Sequence, residues 1–161
     1  MKTKILITLL VLGTLFDGKL SNDHLAVFEG NWTGTLTYLN YGDDETLVTL
    51  PVDLEASYSD QGLSFDYLFT EPGGGIEKRN GSLKLKKGKV YYSGIWELVD
   101  TKITSLNEWT VELKRSGKDN NRKAQFRQTI EVTAEKITVT KNVRYEGTDN
   151  FFMRNQYIFE K

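Results

Sequence analysis

His24 is the only histidine of the chain and so its one candidate for imidazole chemistry. An imidazole can serve as a general base or as a metal ligand near neutral pH. No Asp or Glu is clearly placed to orient this ring, and His24 precedes every predicted strand, so we expect an exposed residue in a turn. One His and no Cys exclude multi-histidine sites, thiolate metal sites and thiol nucleophiles. We predict no metal and no cofactor.

Asp and Glu number 22, but no pair of them is singled out for catalysis. Glycoside hydrolysis needs two carboxyl groups about 5–10 Å apart, a separation that the sequence does not specify. The run Asp43-Asp44-Glu45 offers the oxygen ligands that Ca²⁺ prefers, yet it lacks EF-hand spacing and is interpreted as a solvated hairpin loop. A nucleophile-elbow motif is also missing. We therefore predict that the protein is not an enzyme, and a small carboxylate-based enzyme is kept as the second alternative.

Lys and Arg number 21, which gives a net charge of −1. The chain therefore has no excess of positive charge with which to bind the phosphates of DNA or RNA, and we predict no nucleic-acid partner. One local basic patch could contact an anionic surface. It comprises Lys114, Arg115, Lys118, Arg122 and Lys123.

The aromatic residues are the stronger candidates for binding. Rings with polar tips suit a partly wet cavity that holds an apolar molecule and offers a few hydrogen bonds. Eight of them are predicted to point inward and to line a ligand site: Tyr38, Tyr67, Phe69, Tyr92, Trp96, Trp109, Phe126 and Tyr157. The alternative is that these rings simply fill the interior.

Residues 1–18 have the layout of a secretory signal peptide. A short basic start precedes the apolar run 5–16, which is shorter than the roughly 20 residues that a membrane span requires. We expect cleavage near residue 13 or residue 18 and no membrane span afterwards. Because no Cys follows the run, a lipid anchor is excluded. An exported protein without Cys is typical of bacteria, so a periplasmic or secreted location is predicted.

From residue 30 onward, β-type segments alternate with short turn signals. In 46–58, for example, apolar residues alternate with polar ones, which indicates one buried face and one wet face. Ser21-Asn22-Asp23 is predicted to cap a short helical turn before the first strand. Nine strands are predicted, near 31–41, 46–58, 62–70, 76–87, 89–99, 106–115, 122–134, 136–146 and 150–160.

Short separators predict that successive strands pair as antiparallel hairpins. Such a meander either closes into a barrel or splits into a sandwich, and even spacing without long crossovers favours the barrel. Closure also removes exposed sheet edges. The predicted fold is therefore all-β, a single up-and-down antiparallel barrel of about 8–10 strands over residues 19–161. Pro51 inside a strand predicts an edge-like or bulged position.

The segment Phe28-Glu29-Gly30-Asn31-Trp32 stands directly at the start of the first strand. Gly-x-Trp at this place, with Arg154 in the last strand, resembles the first motif of lipocalins and of the wider calycin superfamily. The resemblance implies that Trp32 plugs the closed end of the barrel and that Arg154 packs across its ring. It also implies that Gly30 permits a close backbone approach.

The extended spacing Gly30-x-Trp32-x-Gly34 is similar to the start of nitrobindin-type haem barrels. Those proteins use a His late in the chain as the iron ligand, and this sequence has no His after His24. Haem ligation in that manner is therefore not supported, which leaves a Tyr ligand as the alternative.

The preferred hypothesis is an exported, non-catalytic protein that holds a small, largely apolar molecule in a β-barrel cavity. The first alternative is a secreted interaction module that binds a protein or a glycan through its loops or outer face and has a filled barrel. The sequence does not predict the oligomeric state.

Overall fold

A computed structural model describes residues 19–161, so the predicted signal peptide lies outside the described residues. The predicted short helical turn before the first strand is confirmed as a 3₁₀ helix, Asn22–Phe28. Within residues 19–161, no helix is long and apolar enough to cross a membrane. The ten strands are β1 Gly30–Leu39, β2 Leu47–Ser59, β3 Gly62–Thr70, β4 Ile76–Lys86, β5 Lys89–Tyr91, β6 Ile95–Ser105, β7 Glu108–Asp119, β8 Arg122–Val132, β9 Lys136–Tyr145 and β10 Phe152–Glu160.

Each strand pairs antiparallel with its neighbours in the sequence, and β10 returns to pair with β1. In the closing ladder Gly34 lies opposite Phe159, and on the other side of β1 it lies opposite Val52. The predicted all-β, up-and-down barrel is thus confirmed, with ten strands at the upper end of the predicted range. Pro51 lies just beyond the last β2–β3 pair, Val52 with Phe69, which is the edge-like position that its missing N–H requires.

The single strand predicted over 89–99 is two strands in the structure. β5 ends at Tyr91 and β6 begins at Ile95. Between them Ser93 has a φ of 45° and Gly94 a φ of 125°, and such positive values turn the chain out of the strand. The prediction missed this break because strand-forming residues flank the Ser-Gly pair on both sides.

Two predicted separators are strand in the structure. The segment 100–102 lies inside β6, which continues through an irregularity in its pairing with β7. β7 likewise continues through most of 116–121 and ends at Asp119. The turn is only Asn120 and Asn121, with φ of 46° and 61°. Two successive positive φ values suit the twist of a tight hairpin, and Asn adopts them more readily than most residues.

The 3₁₀ helix packs against β2 and β3 and covers the end of the barrel at which β1 begins, which we call the helix end. Trp32 is 1% exposed there, and its Nε1 donates a hydrogen bond of 2.8 Å to the carbonyl of Phe28. The Phe28 ring in turn lies 6.0 Å from the ring of Trp109. The helix and the two indoles therefore close the barrel at this end.

His24 is buried, so the expectation of an exposed residue is wrong. Its ring meets Trp109 edge-on at 6.4 Å, and its Nδ1 accepts a hydrogen bond of 3.2 Å from the backbone N–H of Ser21. The helix lies against the barrel, and the residue on its inner face is consequently covered. These contacts give His24 a structural role at the start of the helix.

The close backbone approach that the resemblance implies for Gly30 is found at Gly34 instead. A Cβ on Gly30 would meet nothing within 4 Å, and its φ of 104° is what requires glycine. The close approach falls at Gly34 instead, because a Cβ there would overlap the backbone carbonyl oxygen of Ile158 on β10. Gly34 therefore permits the β1–β10 contact that closes the barrel.

Burial of the inward side chains changes along the barrel axis. At the helix end, Phe159 and Ile137 are 1% and 0% exposed. The next inward pair, Tyr157 and Val139, is only partly buried. This pair leads toward the opposite end, which carries the β1–β2 loop 40–46 and which we call the loop end. The barrel is therefore filled near the helix and less tightly covered at the level of Tyr157 and Val139, whereas Arg154 nearer the loop end is again 0% exposed.

Candidate ligand-binding site

Four of the eight predicted ligand-binding residues form one group inside the barrel, the tyrosine cluster: Tyr67, Phe69, Tyr92 and Tyr157. The ring of Tyr67 stacks on that of Tyr157, with centroids 5.2 Å apart and planes inclined by 20°. The hydroxyls of Tyr67 and Tyr92 lie 3.5 Å apart, and Phe69 lies 5.9 Å from Tyr67. Because β3 and β10 are not neighbours in the sheet, the stacked pair crosses the interior.

The other four predicted residues lie outside this cluster. Trp96 and Phe126 pack edge-on at 6.4 Å, and the Nε1 of Trp96 donates a hydrogen bond of 2.8 Å to the carbonyl of Tyr92. Trp109 belongs to the helix end, and Tyr38 is partly buried near the end of β1. The structure thus does not join all eight residues into one site.

The hydroxyls of the tyrosine cluster stay protonated at neutral pH. Burial raises the pKa of Tyr67 well above 10.0, and it also raises the pKa of Tyr92 and Tyr157. A neutral phenol can both donate and accept a hydrogen bond. The cluster therefore offers polar tips on an apolar surface, which suits a ligand with an apolar body and a polar group.

The space left beside the tyrosine cluster is small. A cavity of about 20 Å³ is lined by Tyr67, Tyr92, Gln128 and apolar side chains, among them Val139 and Phe159. One water molecule needs about 10–15 Å³, so this cavity has room for a single water. The interior is mostly filled by side chains, as the filled-barrel alternative predicts.

Gln128 is a polar residue of this cavity that the sequence analysis missed. It is 3% exposed, and within residues 19–161 its Nε2 has no hydrogen-bond partner. A buried donor without a partner costs about 1–3 kcal/mol, so an acceptor that reaches it is stabilised. The sequence does hold a signal, since Gln128 occupies an inward position between Phe126 and Ile130 where an apolar residue is expected.

Two cations point inward beyond the tyrosine cluster. Arg115 lies opposite Phe126 in the β7–β8 ladder, and Lys141 lies opposite Gln128 in the β8–β9 ladder, so both share the inward face. The Arg115 guanidinium is 5.0 Å and the Lys141 Nζ is 5.1 Å from the Phe126 ring centroid. Burial lowers the pKa of both groups. Arg115 thus faces inward, unlike its neighbour Lys114 in the same basic patch, which is exposed.

Arg154 does not pack on Trp32, so this expectation is also wrong. Its guanidinium lies 4.5 Å from the ring centroid of Tyr41 at the loop end, and the Nζ of Lys161 lies 4.5 Å from the Trp32 ring centroid. The pairing of β10 with β1 explains why Arg154 cannot reach Trp32. Asn155, which follows Arg154, pairs with β1 near its end, whereas Trp32 stands near its beginning.

Arg154 instead organises a group of polar residues that we call the loop network. It is fully buried, and its Nη2 donates to Asp119 at 2.7 Å and to the Tyr145 hydroxyl at 2.6 Å. Its Nη1 donates to Asp44 at 2.8 Å, and the Tyr41 hydroxyl donates to Asp119 at 3.3 Å. The network ties the β1–β2 loop to the turn between β7 and β8.

Within the acidic run 43–45, Asp44 joins this network, while Asp43 and Glu45 are exposed, as expected of a solvated hairpin loop. Asp44 accepts from Arg154, while Asp43 accepts backbone hydrogen bonds of 3.0 Å from Glu45 and Thr46. In the part of the chain from residue 19 on, no group of three or more His, Asp or Glu side chains is arranged to hold a metal ion. The two acids thus stabilise the loop through a guanidinium and through backbone donors.

Comparison with known proteins places the chain by its fold alone. No family model matches it, and a search of curated proteins gives no match. Solved structures do match, among them one described as the crystal structure of Rv2717c from M. tuberculosis. The two share 11% sequence identity with a TM-score of 0.57, over 85% of this chain and 94% of that chain. At this identity the match shows that the two proteins share a barrel fold.

Proposed function

We propose that the protein is exported and that it holds one small, largely apolar molecule inside the loop-end half of the barrel, without catalysing a reaction. The observation that carries the proposal is the tyrosine cluster. It groups three hydroxyls on an apolar surface inside the barrel, beside the cavity that Gln128 also lines. The calycin resemblance of Gly30 and Trp32 agrees with such a role.

Binding requires side chains to move, because a cavity of about 20 Å³ admits no organic molecule. Tyr157 is the side chain that gives way, since it is partly exposed. Rotation of such a side chain is fast. The ligand then replaces the ring contacts with Tyr67, and apolar burial stabilises it by about 25 cal/mol per Å².

The test is binding of N-phenyl-1-naphthylamine, an uncharged fluorescent probe, to the mature protein and to Tyr157→Ala. Removal of the ring relieves the cost of displacing it, so we expect binding to tighten by about tenfold. Tyr91→Ala is the matched control, because Tyr91 lies opposite the exposed Ile95 on the outer face. Equal effects of the two substitutions, with thermal melting showing both proteins folded, would overturn the interior site.

The proposal that the protein is exported rests on residues 1–18, which have the layout of a signal peptide, and a separate experiment tests it. Protein recovered from the periplasm or the medium of its host is expected to begin after residue 13 or residue 18. Native mass spectrometry of the same material is expected to show a bound small molecule. An uncleaved amino terminus on cell-associated protein would contradict export and leave the binding test unaffected.

The filled interior favours a second candidate, an interaction module that binds a protein or glycan on its outer face. An outer groove of about 540 Å³ includes Ile95, which is 54% exposed, and the ring of Phe151. In this case Ile95→Ser abolishes capture of the partner, whereas Tyr157→Ala leaves it unchanged. Capture that survives Ile95→Ser, together with tighter probe binding by Tyr157→Ala, supports the interior site instead.

A further inference from the structure

One outer wall of the barrel concentrates positive charge, although the net charge of the chain is −1. On β4, β5, β7 and β8, exposed cations occupy outward positions that alternate with more deeply buried residues. We call this surface the basic wall, and it comprises Lys84, Lys86, Lys89, Lys114, Lys118, Lys123 and Arg127.

Some cations of the basic wall lie directly opposite one another on neighbouring strands. The pairs are Lys86 with Lys89, Lys114 with Arg127, and Lys118 with Lys123. Like charges at such positions destabilise a sheet. An anion that lies between the members of a pair offsets this repulsion.

The acids near the basic wall leave most of its charge uncompensated. Within the described chain, only Lys114, Lys123 and Arg127 of the wall have an Asp or Glu oxygen within 4.0 Å. These contacts measure 3.6 Å, 3.5 Å and 3.8 Å between largely exposed side chains, and ion pairs of this kind contribute little. The wall therefore has several cations that an external anion can meet.

The outer groove follows one row of the basic wall. Lys89, Glu97, Lys114 and Arg127 occupy directly opposite positions on β5, β6, β7 and β8. All four line the groove of about 540 Å³, and Ile95, which is 54% exposed, stands beside them. The groove thus presents a line of cations with an apolar contact next to it.

The curvature of the basic wall determines the shape of a partner that fits it. Strands β4–β8 are five consecutive strands in a closed barrel of ten, so their outer faces turn through about half of the circumference. A flat bilayer or a rigid folded protein meets only part of so convex a surface. A flexible chain follows the curve and meets a new strand about every 4.8 Å.

We propose that the basic wall binds an anionic polysaccharide, whose chain crosses the strands along the outer groove. Its carboxylate or sulfate groups accept hydrogen bonds from the lysine and arginine side chains. The C–H faces of its sugar rings pack against Ile95. The surface lies outside the barrel, so the inference is independent of the interior site, and it gives the outer-face candidate a partner of defined chemistry.

The experiment measures the binding of dextran sulfate to the full mature protein, with glucose 6-sulfate and uncharged dextran as comparison ligands. Several simultaneous contacts predict that dextran sulfate binds at least about hundredfold more tightly than glucose 6-sulfate. Its binding is expected to weaken at least about tenfold between about 50 and 200 mM NaCl. Absence of dextran sulfate binding, or equal binding of uncharged dextran, overturns the inference and leaves the interior site standing.

Two further ligands separate the polysaccharide from other anionic partners. Vesicles of phosphatidylglycerol present a flat anionic surface, and poly-L-glutamate is a flexible acidic peptide. At equal concentrations of negative charge, both are expected to bind more weakly than dextran sulfate. Tighter binding of the vesicles or of the peptide would assign the basic wall to a lipid surface or to an acidic peptide, and it would overturn the inference.

Substitutions locate the binding on the basic wall. Lys114→Gln is expected to weaken dextran sulfate binding about threefold to fivefold. Lys78→Gln is the matched control, because the side chains of Lys78 and Lys114 are 57% and 58% exposed and Lys78 pairs with Asp66 at 2.9 Å, away from the wall. Glu97→Gln removes the acid of the row and is expected to tighten binding about threefold, whereas Glu55→Gln, opposite Asp66, leaves binding unchanged. Equal effects within either pair of variants would show that only net charge matters and would overturn the inference.

Discussion

The guanidinium of Arg154 and the carboxylate of Asp119 form a salt bridge of 2.7 Å in which both side chains are almost fully buried, at 0% and 5% exposure. The two residues come from β10 and β7, which are not adjacent in the sheet. The bridge therefore links, at the loop end, two strands that are separated by β8 and β9 and share no backbone ladder.

Asp119→Ala is expected to lower the free energy of unfolding by about 3–5 kcal/mol, because it leaves the buried guanidinium with only Asp44 as counter-ion. Urea denaturation gives the value. Asp66→Ala is the control, since Asp66 pairs with Lys78 at 2.9 Å on the surface and should cost below about 1 kcal/mol. Similar losses in the two variants would contradict a structural role for the buried bridge.

Trp32→Ala is expected to cost about 3–5 kcal/mol of unfolding free energy, as for a large buried ring whose indole N–H is also paired. Lys161→Ala removes only the cation that lies over this ring near the surface, and it should cost about 0.5–1 kcal/mol. The two values come from the same urea titrations. A near-neutral Trp32→Ala would show that the helix end closes without its indole.

The fold could be predicted from the sequence because alternation of apolar residues and the spacing of short turns are local signals. The strand boundaries that were predicted wrongly also have local causes. Ser93 and Gly94 interrupt a strand although the residues on both sides are aromatic or β-branched. The turn between β7 and β8 consists of Asn120 and Asn121 alone, although the polar stretch around them is longer. Strand ends depend on where the partner strand stops, and the sequence of one strand does not contain that information.

The site was less predictable, because register decides which residues meet. The resemblance paired Arg154 with Trp32, whereas the β1–β10 register places them at opposite ends of the barrel. Lys141 and Gln128 escaped notice because polar residues on alternating strands are expected to face solvent. Both nevertheless occupy inward positions of the alternation, Gln128 between Phe126 and Ile130 and Lys141 between Val139 and Val143, and the register pairs them with each other.

Protonation of Asp43 at low pH is expected to weaken the hydrogen bonds that order the β1–β2 loop. Hydrogen bonds from the Thr46 hydroxyl and from the backbone of Glu45 and Thr46 lower the pKa of Asp43 from 3.8 to about 2. The ionised carboxylate is the form that the ordered loop favours. Its contribution is fully present above about pH 4 and is lost as the pH falls through about 2.

We therefore expect the amide resonances of Glu45 and Thr46 to shift together between about pH 4 and pH 2 in an NMR titration. Asp43→Asn cannot ionise and is expected to remove this step while the rest of the barrel titrates as before. A step at the same pH in Asp43→Asn would assign the transition to another group.

Gly34→Ala tests whether the close approach of β1 and β10 is required for closure. A methyl group at this position overlaps the backbone carbonyl oxygen of Ile158, which cannot move without breaking the ladder. We expect a loss of about 3 kcal/mol or more in unfolding free energy. Gly75→Ala is the control, because a Cβ there meets nothing within 4 Å, and its effect should stay within about 0.5 kcal/mol. If the two variants unfold at the same urea concentration, β1 and β10 have room to separate, and closure then depends on side chains alone.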